Sequence, residues 1–224
     1  MATRNSGYAA KAFDKYYTPG QVVSHDLGSL WQPPVNCEIW EPCAGDGGLA
    51  RAISTTFARA CFASDVAPDA RQLHPVARID FLKSNGLSNS SAVPLVIITN
   101  PPYGAQSNLA VRFLVRALDL TEPRGGSVCL LLPFGFDAAR GRRGLVGSHP
   151  AFAAKITTSQ RIRWRNVEQK SNGPSGDHAW FIWEWQVRRR NAWALRQLQV
   201  CPAKLEERSG VAGPVPRSPE GVAG

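Results

Sequence analysis

The run Thr99-Asn100-Pro101-Pro102-Tyr103-Gly104 combines residue types suited to one task, the activation of a planar amine. An amine on an aromatic ring is a poor nucleophile because its lone pair is delocalised into the ring, and no ordinary side-chain base can deprotonate it. Geometry can help instead. The Asn100 side-chain oxygen and the Pro101 carbonyl could each accept one N–H, favouring a pyramidal nitrogen whose lone pair points at an electrophile. Pro101 and Pro102 would hold those acceptors rigid. Tyr103 offers a flat face on which a planar base, once extracted from a helix, can stack. The plainer alternative is a rigid turn with Tyr103 as packing; two prolines between an asparagine and an aromatic favour the chemical reading.

A second cluster, Glu41-Pro42-Cys43-Ala44-Gly45-Asp46-Gly47-Gly48, is made of small residues through which a ligand could approach the backbone without meeting a Cβ. Taken alone, such a turn serves cofactor binding or tight packing equally well. Asp65, about 20 residues further on, adds to it, because an acid in that place holds ribose hydroxyls in nucleoside-binding folds. Asp65 could also be a helix N-cap. Cys43 sits in the glycine loop and away from Asn100, so no covalent cysteine mechanism is expected.

These residues need elements to position them. CEIWE reads as a strand leading into the glycine turn, and Leu49, Ile53 and Phe57 then follow at helical spacing. ARACFAS, closed by Asp65, is a second short strand, and VARIDFL a third. PLVIIT is the strongest strand signal and should be central, ended by Asn100-Pro101-Pro102. Leu109, Phe113, Ala117 and Leu120 share a helical face, and GGSVCLLLPF is another buried strand. The alternation predicts an α/β fold, a mostly parallel sheet with helices on both faces and ligands beyond the carboxyl ends of the strands. AAKITTSQRIRW and HAWFIWEWQV predict an antiparallel hairpin at the sheet edge. Trp180, Trp183 and Trp185 on the second of these suit sheet packing better than base stacking. Residues 134–149 read as an exposed loop.

Composition narrows the classes. The chain of 224 residues carries 26 Lys+Arg against 17 Asp+Glu, and residues 134–200 alone hold 12 against 4. Basic charge concentrated in this way suits a face turned to a polyanion, although a solvated basic surface is the simpler account. Five cysteines without a C-x-x-C pair and four scattered histidines suggest neither a disulfide framework nor a metal site. The absence of a long apolar run or a secretion signal predicts a cytoplasmic protein with no membrane partner. We expect an N-terminal extension over 1–15, one domain over 16–200 and a disordered tail over 201–224, which is rich in Gly, Pro and Ser.

With these residues in view, the sequence resembles the S-adenosylmethionine-dependent N6-adenine DNA methyltransferases, whose hallmark is an (Asn/Asp/Ser)-Pro-Pro-(aromatic) motif. The resemblance runs over about residues 16–185 and implies a Rossmann-like class I methyltransferase fold with S-adenosylmethionine as cofactor and double-stranded DNA, or else RNA, as partner. It implies catalytic roles for Asn100, Pro101, Pro102 and Tyr103. Glu41, Pro42, Ala44, Gly45, Asp46 and Gly47 match the loop around the methionine part of the cofactor, Asp65 the ribose-binding acid, and Asp80-Phe81 the pair that meets its adenine. Tyr17-Thr18-Pro19, followed by Val22-Val23, is similar to the cofactor-pocket segment that precedes the glycine loop in the gamma arrangement. Glutamine methyltransferases of release factors share Asn-Pro-Pro-Tyr but usually carry an N-terminal helical domain, which is not expected here. The loop departs in reading Pro-Cys-Ala-Gly-Asp-Gly-Gly, and no large target-recognition domain follows. The loop 134–149 and the hairpin tip 166–177 are then the places to meet a nucleic acid. Arg140, Arg142, Arg143, Arg165 and Lys170 are expected to contact phosphate more than bases.

Overall fold

A computed structural model describes residues 15–87, 93–165 and 176–186. Seven strands among them form one sheet: β1 (Glu38–Glu41), β2 (Cys61–Asp65), β3 (Ala77–Arg78), β4 (Leu95–Thr99), β5 (Ser127–Pro133), β6 (Phe152–Thr157) and β7 (His178–Glu184), in the spatial order β3-β2-β1-β4-β5-β7-β6. β4 is central, as its unbroken apolar sequence requires. β1 to β5 pair in parallel, and β7 enters antiparallel between β5 and β6. A π-helical turn, Val22–Leu27, leads into the short α1 (Gly28–Leu30). Helix α2 (Gly48–Phe57) crosses from β1 to β2 and α3 (Asn108–Thr121) from β4 to β5. None of the described helices is long and apolar enough to cross a membrane.

The sheet is covered on both faces, so alternate residues of one strand feed different cores. Val96 and Ile98 join Leu49, Ile53 and Phe57 of α2, with Val23 and Leu27, on one side. Leu95 and Ile97 join Phe113, Leu114 and Ala117 of α3 on the other. The tryptophans divide likewise. Trp180 and Trp183 are fully buried on opposite faces. Their indole N–H groups donate to Val22 O at 2.9 Å and to Leu145 O at 2.8 Å. Trp185 donates to Thr121 Oγ1 at 3.0 Å, so all three are packing residues with satisfied polar edges.

Three expectations need correction. VARIDFL forms only the two-residue β3, because Asp80 turns the chain: its side chain accepts from Leu82 N at 3.1 Å and its carbonyl from Ser84 N at 2.9 Å. AAKITTSQRIRW leaves the sheet after Thr157. There Ser159 N donates to Asp26 Oδ1 at 2.9 Å, and Ile162 and Trp164 are buried in the α2-side core, so tertiary contacts override β propensity. Residues 134–149 are not wholly exposed, since two 3₁₀ turns, Phe136–Ala138 and Arg140–Arg142, place Phe136 and later Val146 in the α3-side core. The N-terminal extension up to residue 14, residues 187–200 of the expected domain, the tail and most of the hairpin tip, Lys170 included, lie outside the described residues.

Candidate active site

Strands β1, β2 and β4 end side by side, and the loops leaving them surround a cavity of about 240 Å³. After β1 the chain turns sharply into α2, with Gly45 (φ +54°) and Gly47 (φ +77°) in the left-handed region. The loop is tied to its neighbours: Ala44 N donates to Ser64 O at 2.9 Å, and Gly45 N donates to Asp65 Oδ2 at 2.9 Å. Asp65 Oδ1 accepts from Ala67 N at 2.8 Å, so this carboxylate braces the loop and also faces the cavity. Asp46 Oδ1 accepts from Gly48 N at 2.9 Å, at the positive end of α2.

Nine residues expected around a cofactor line the cavity: Tyr17, Thr18, Pro42, Ala44, Gly45, Asp46, Asp65, Asp80 and Phe81. Pro19, Glu41 and Gly47 do not. Glu41 lies beneath the loop, wholly buried. Its Oε1 accepts from Thr99 Oγ1 at 2.5 Å and from Cys43 N at 3.0 Å, while Oε2 has no partner. Burial with an unpartnered oxygen pushes its carboxyl up to about 8, so the group is neutral at pH 7 and ties β1 to β4. The Cys43 thiol faces the cavity but is held well above its usual range, first by burial and then by Glu41, which disfavours a nucleophilic thiolate.

Asn100 and Pro102 line the same cavity from β4; Pro101 and Tyr103 do not. The Asn100 amide is fixed at both ends. Nδ2 donates to Thr18 Oγ1 at 3.1 Å and to Tyr16 O at 3.4 Å, and Oδ1 lies 3.0 Å from the Tyr103 hydroxyl. That hydroxyl is also 3.2 Å from Leu131 O, and the Tyr103 ring stacks on His178, with centroids 6.1 Å apart. His178 is buried, its Nδ1 unpartnered, and burial lowers its imidazole to about 4, so it is neutral.

The basic residues separate. Arg140 and Arg143 are exposed beyond β5. Arg142 is occupied, its guanidinium 4.4 Å from the Phe136 ring centroid and donating to Phe136 O and Gln106 O. Arg165, expected at a phosphate, instead lines the cavity and pairs with Asp46 Oδ1 at 2.9 Å, because burial of Trp164 draws this segment over the loop. Sequence reasoning also passed over Lys15, Tyr16, Leu82, Leu109 and Phe113 as cavity residues. Leu82, next to Asp80-Phe81, and Leu109 and Phe113, on the α3 face, carried a signal. Lys15 carried none; its ammonium bonds Asp69 at 2.7 Å, and the Tyr17 hydroxyl bonds the same carboxylate.

No protein-family model matches the chain, and no curated protein matches it. Among solved structures it is similar to a candidate class I S-adenosylmethionine-dependent methyltransferase from Listeria monocytogenes, at 18% identity and a TM-score of 0.52 over 75% of this chain; the chain spans 60% of that protein's length. It is also similar to a protein of Thermoplasma acidophilum (16% identity, TM-score 0.42, 66% of this chain and 78% of that one). A candidate methyltransferase of the same organism is similar at 15% identity and a TM-score of 0.39, over 65% and 66%. The seven-stranded sheet is thus the Rossmann-like fold of class I methyltransferases, with its one reversed strand next to the edge.

Proposed function

We propose that this protein transfers a methyl group from S-adenosylmethionine to the N6 amine of adenine in DNA, with the base taken out of the duplex. The residues around the cavity suit the cofactor. Asp46, Asp65 and Asp80 present acidic groups to a cationic sulfonium nucleoside, while Phe81, Leu82 and Phe113 supply apolar surface for a purine. In this reading the loop 42–46 holds the methionine part, Asp65 the ribose hydroxyls and Asp80-Phe81 the adenine. Bound there, S-adenosylmethionine supplies an electrophilic methyl on a positively charged sulfur.

The observation that carries the reading is Asn100, on the cavity wall at the end of the central strand with both ends of its amide engaged. Its two donors turn toward the Tyr16–Thr18 segment and the Tyr103 hydroxyl meets one side of Oδ1, so the oxygen is held without a search over rotamers and its second lone pair is the acceptor for an incoming N–H. Pro101 supplies the second acceptor through its carbonyl, Pro102 stiffens the turn, and Tyr103 is the stacking platform, backed by His178. DNA lies along the basic side, with Arg140 and Arg143 at phosphates.

The test is incubation of unmethylated DNA with S-adenosylmethionine and wild type or Asn100→Ala, then nucleoside digestion and mass spectrometry. Wild type should yield N6-methyladenine and the variant at least about 100-fold less, the scale of losing one positioned polar group. Turnover within a few fold of wild type would refute the role of Asn100. Product on RNA or on a protein glutamine, and none on DNA, would move the acceptor while leaving the amine chemistry.

A further inference from the structure

We propose that Arg165 and Asp46 form a two-sided clamp for the zwitterionic amino-acid end of the cofactor, Arg165 taking the carboxylate and Asp46 the ammonium. The inference rests on the S-adenosylmethionine reading and specifies one end of that site. Both side chains line the cavity and face each other, Nη2 to Oδ1, at 2.9 Å. The guanidinium is held from behind: Nε donates to Thr18 O at 3.4 Å, the backbone N to Tyr17 O at 3.0 Å, and the cation lies 5.4 Å from the Tyr17 ring centroid. Among the described residues its Nη1 makes no hydrogen bond, nor does Asp46 Oδ2.

The loop is shaped to admit this arginine, since a Cβ on Gly48 would fall 2.2 Å from Arg165 Nη2. The other cation on the wall, Lys15, is taken by Asp69 and the Ala67 carbonyl. Phe81 packs on Phe113 of α3, with centroids 5.2 Å apart, in the α3-side core, whereas Asp46 precedes α2 and Trp164, next to Arg165, lies in the α2-side core, so the two ends of the cavity sit toward opposite faces of the sheet. A nucleoside with its purine at Phe81 therefore extends its amino-acid end toward the Asp46–Arg165 pair. A guanidinium fork with one arm unused matches a planar carboxylate, and the neighbouring Asp46 oxygen matches an ammonium on the same carbon.

Isothermal calorimetry with S-adenosylmethionine and with its decarboxylated analogue, which keeps the sulfonium and the amine, tests the clamp. Wild type should prefer the carboxylated ligand by about tenfold or more; Arg165→Gln should erase the preference by weakening that ligand alone, leaving the analogue within about twofold. Arg165→Lys should recover part of the preference. Equal binding of the two ligands by wild type overturns the clamp without any variant. Parallel weakening of both by Arg165→Gln also overturns it, since that is what a mere brace of the loop would do. If wild type binds neither ligand, the cofactor reading falls and the clamp with it.

Discussion

The substitution Glu41→Gln should remove a pH dependence of stability that wild type shows above neutrality. The folded chain keeps a proton on Glu41 up to about pH 8, whereas the unfolded chain releases it near the ordinary value of 4.5. Between those values the folded state binds the extra proton, so this group's stabilisation is complete below 4.5 and is lost as pH rises through about 8, at about 1.4 kcal/mol per pH unit. His178 acts in the opposite sense. Its folded value is about 4 against 6.5 unfolded, so its contribution is complete above 6.5 and falls away as pH drops toward 4. The two slopes oppose each other between 4.5 and 6.5, and the buried thiols of Cys61 and Cys129 enter only near their ordinary value of 9. From about pH 6.5 to 8 Glu41 is, among the described residues with a shifted value, the one whose proton the folded and unfolded chains hold differently, and this group should cost wild type about 2 kcal/mol. The glutamine of the variant keeps an acceptor for Thr99 and Cys43 and cannot titrate. Its buried amide N–H groups have no partner where Oε2 stood, which costs about 1–3 kcal/mol at every pH. Urea unfolding at roughly half-unit steps from about pH 6.5 to 8 measures both curves. A wild-type curve flat across that range, or a variant curve with the same fall, would refute the assignment of a proton to Glu41.

Gly47→Ala should destabilise the fold by about 2–3 kcal/mol, part from the left-handed backbone and the rest from contact with fixed main chain. Its Cβ would lie 2.6 Å from His74 O and 3.0 Å from His74 N, neither of which can swing aside. An unchanged urea midpoint would discard this account of the loop. Arg140→Ala combined with Arg143→Ala should weaken DNA binding uniformly over sequences and reduce the slope of log K against log salt by about 2, read by fluorescence anisotropy. A slope equal to that of wild type would remove these two residues from the DNA face.

What the sequence disclosed depended on whether a residue's neighbours are local. β4 and β5 were legible because a parallel strand covered on both faces must be apolar throughout, and Asn100 was legible because it follows such a strand directly. The register then does the rest. Parallel pairing of β1 with β2 and with β4 sets the ends of all three strands at one level, so the glycine loop, Asp65 and Asn100 converge without further instruction. Arg165 had no such local signature. Its place follows from Ser159 N bonding Asp26, 133 residues away, from Trp164 packing beside Tyr16, and from Gly48 leaving room for the guanidinium. In sequence it is one of several arginines in a basic stretch, and charge alone assigned it to phosphate. Glu41 was misplaced for a related reason, because the motif marks it as part of the loop while only Thr99, 58 residues on, turns it beneath. Residues at strand ends are thus placed by the sheet, and those brought to the cavity from its far side are placed by packing. Asn100 and Pro101, the proposed acceptors, fall in the first group, and Arg165, the cation proposed to meet a carboxylate, falls in the second.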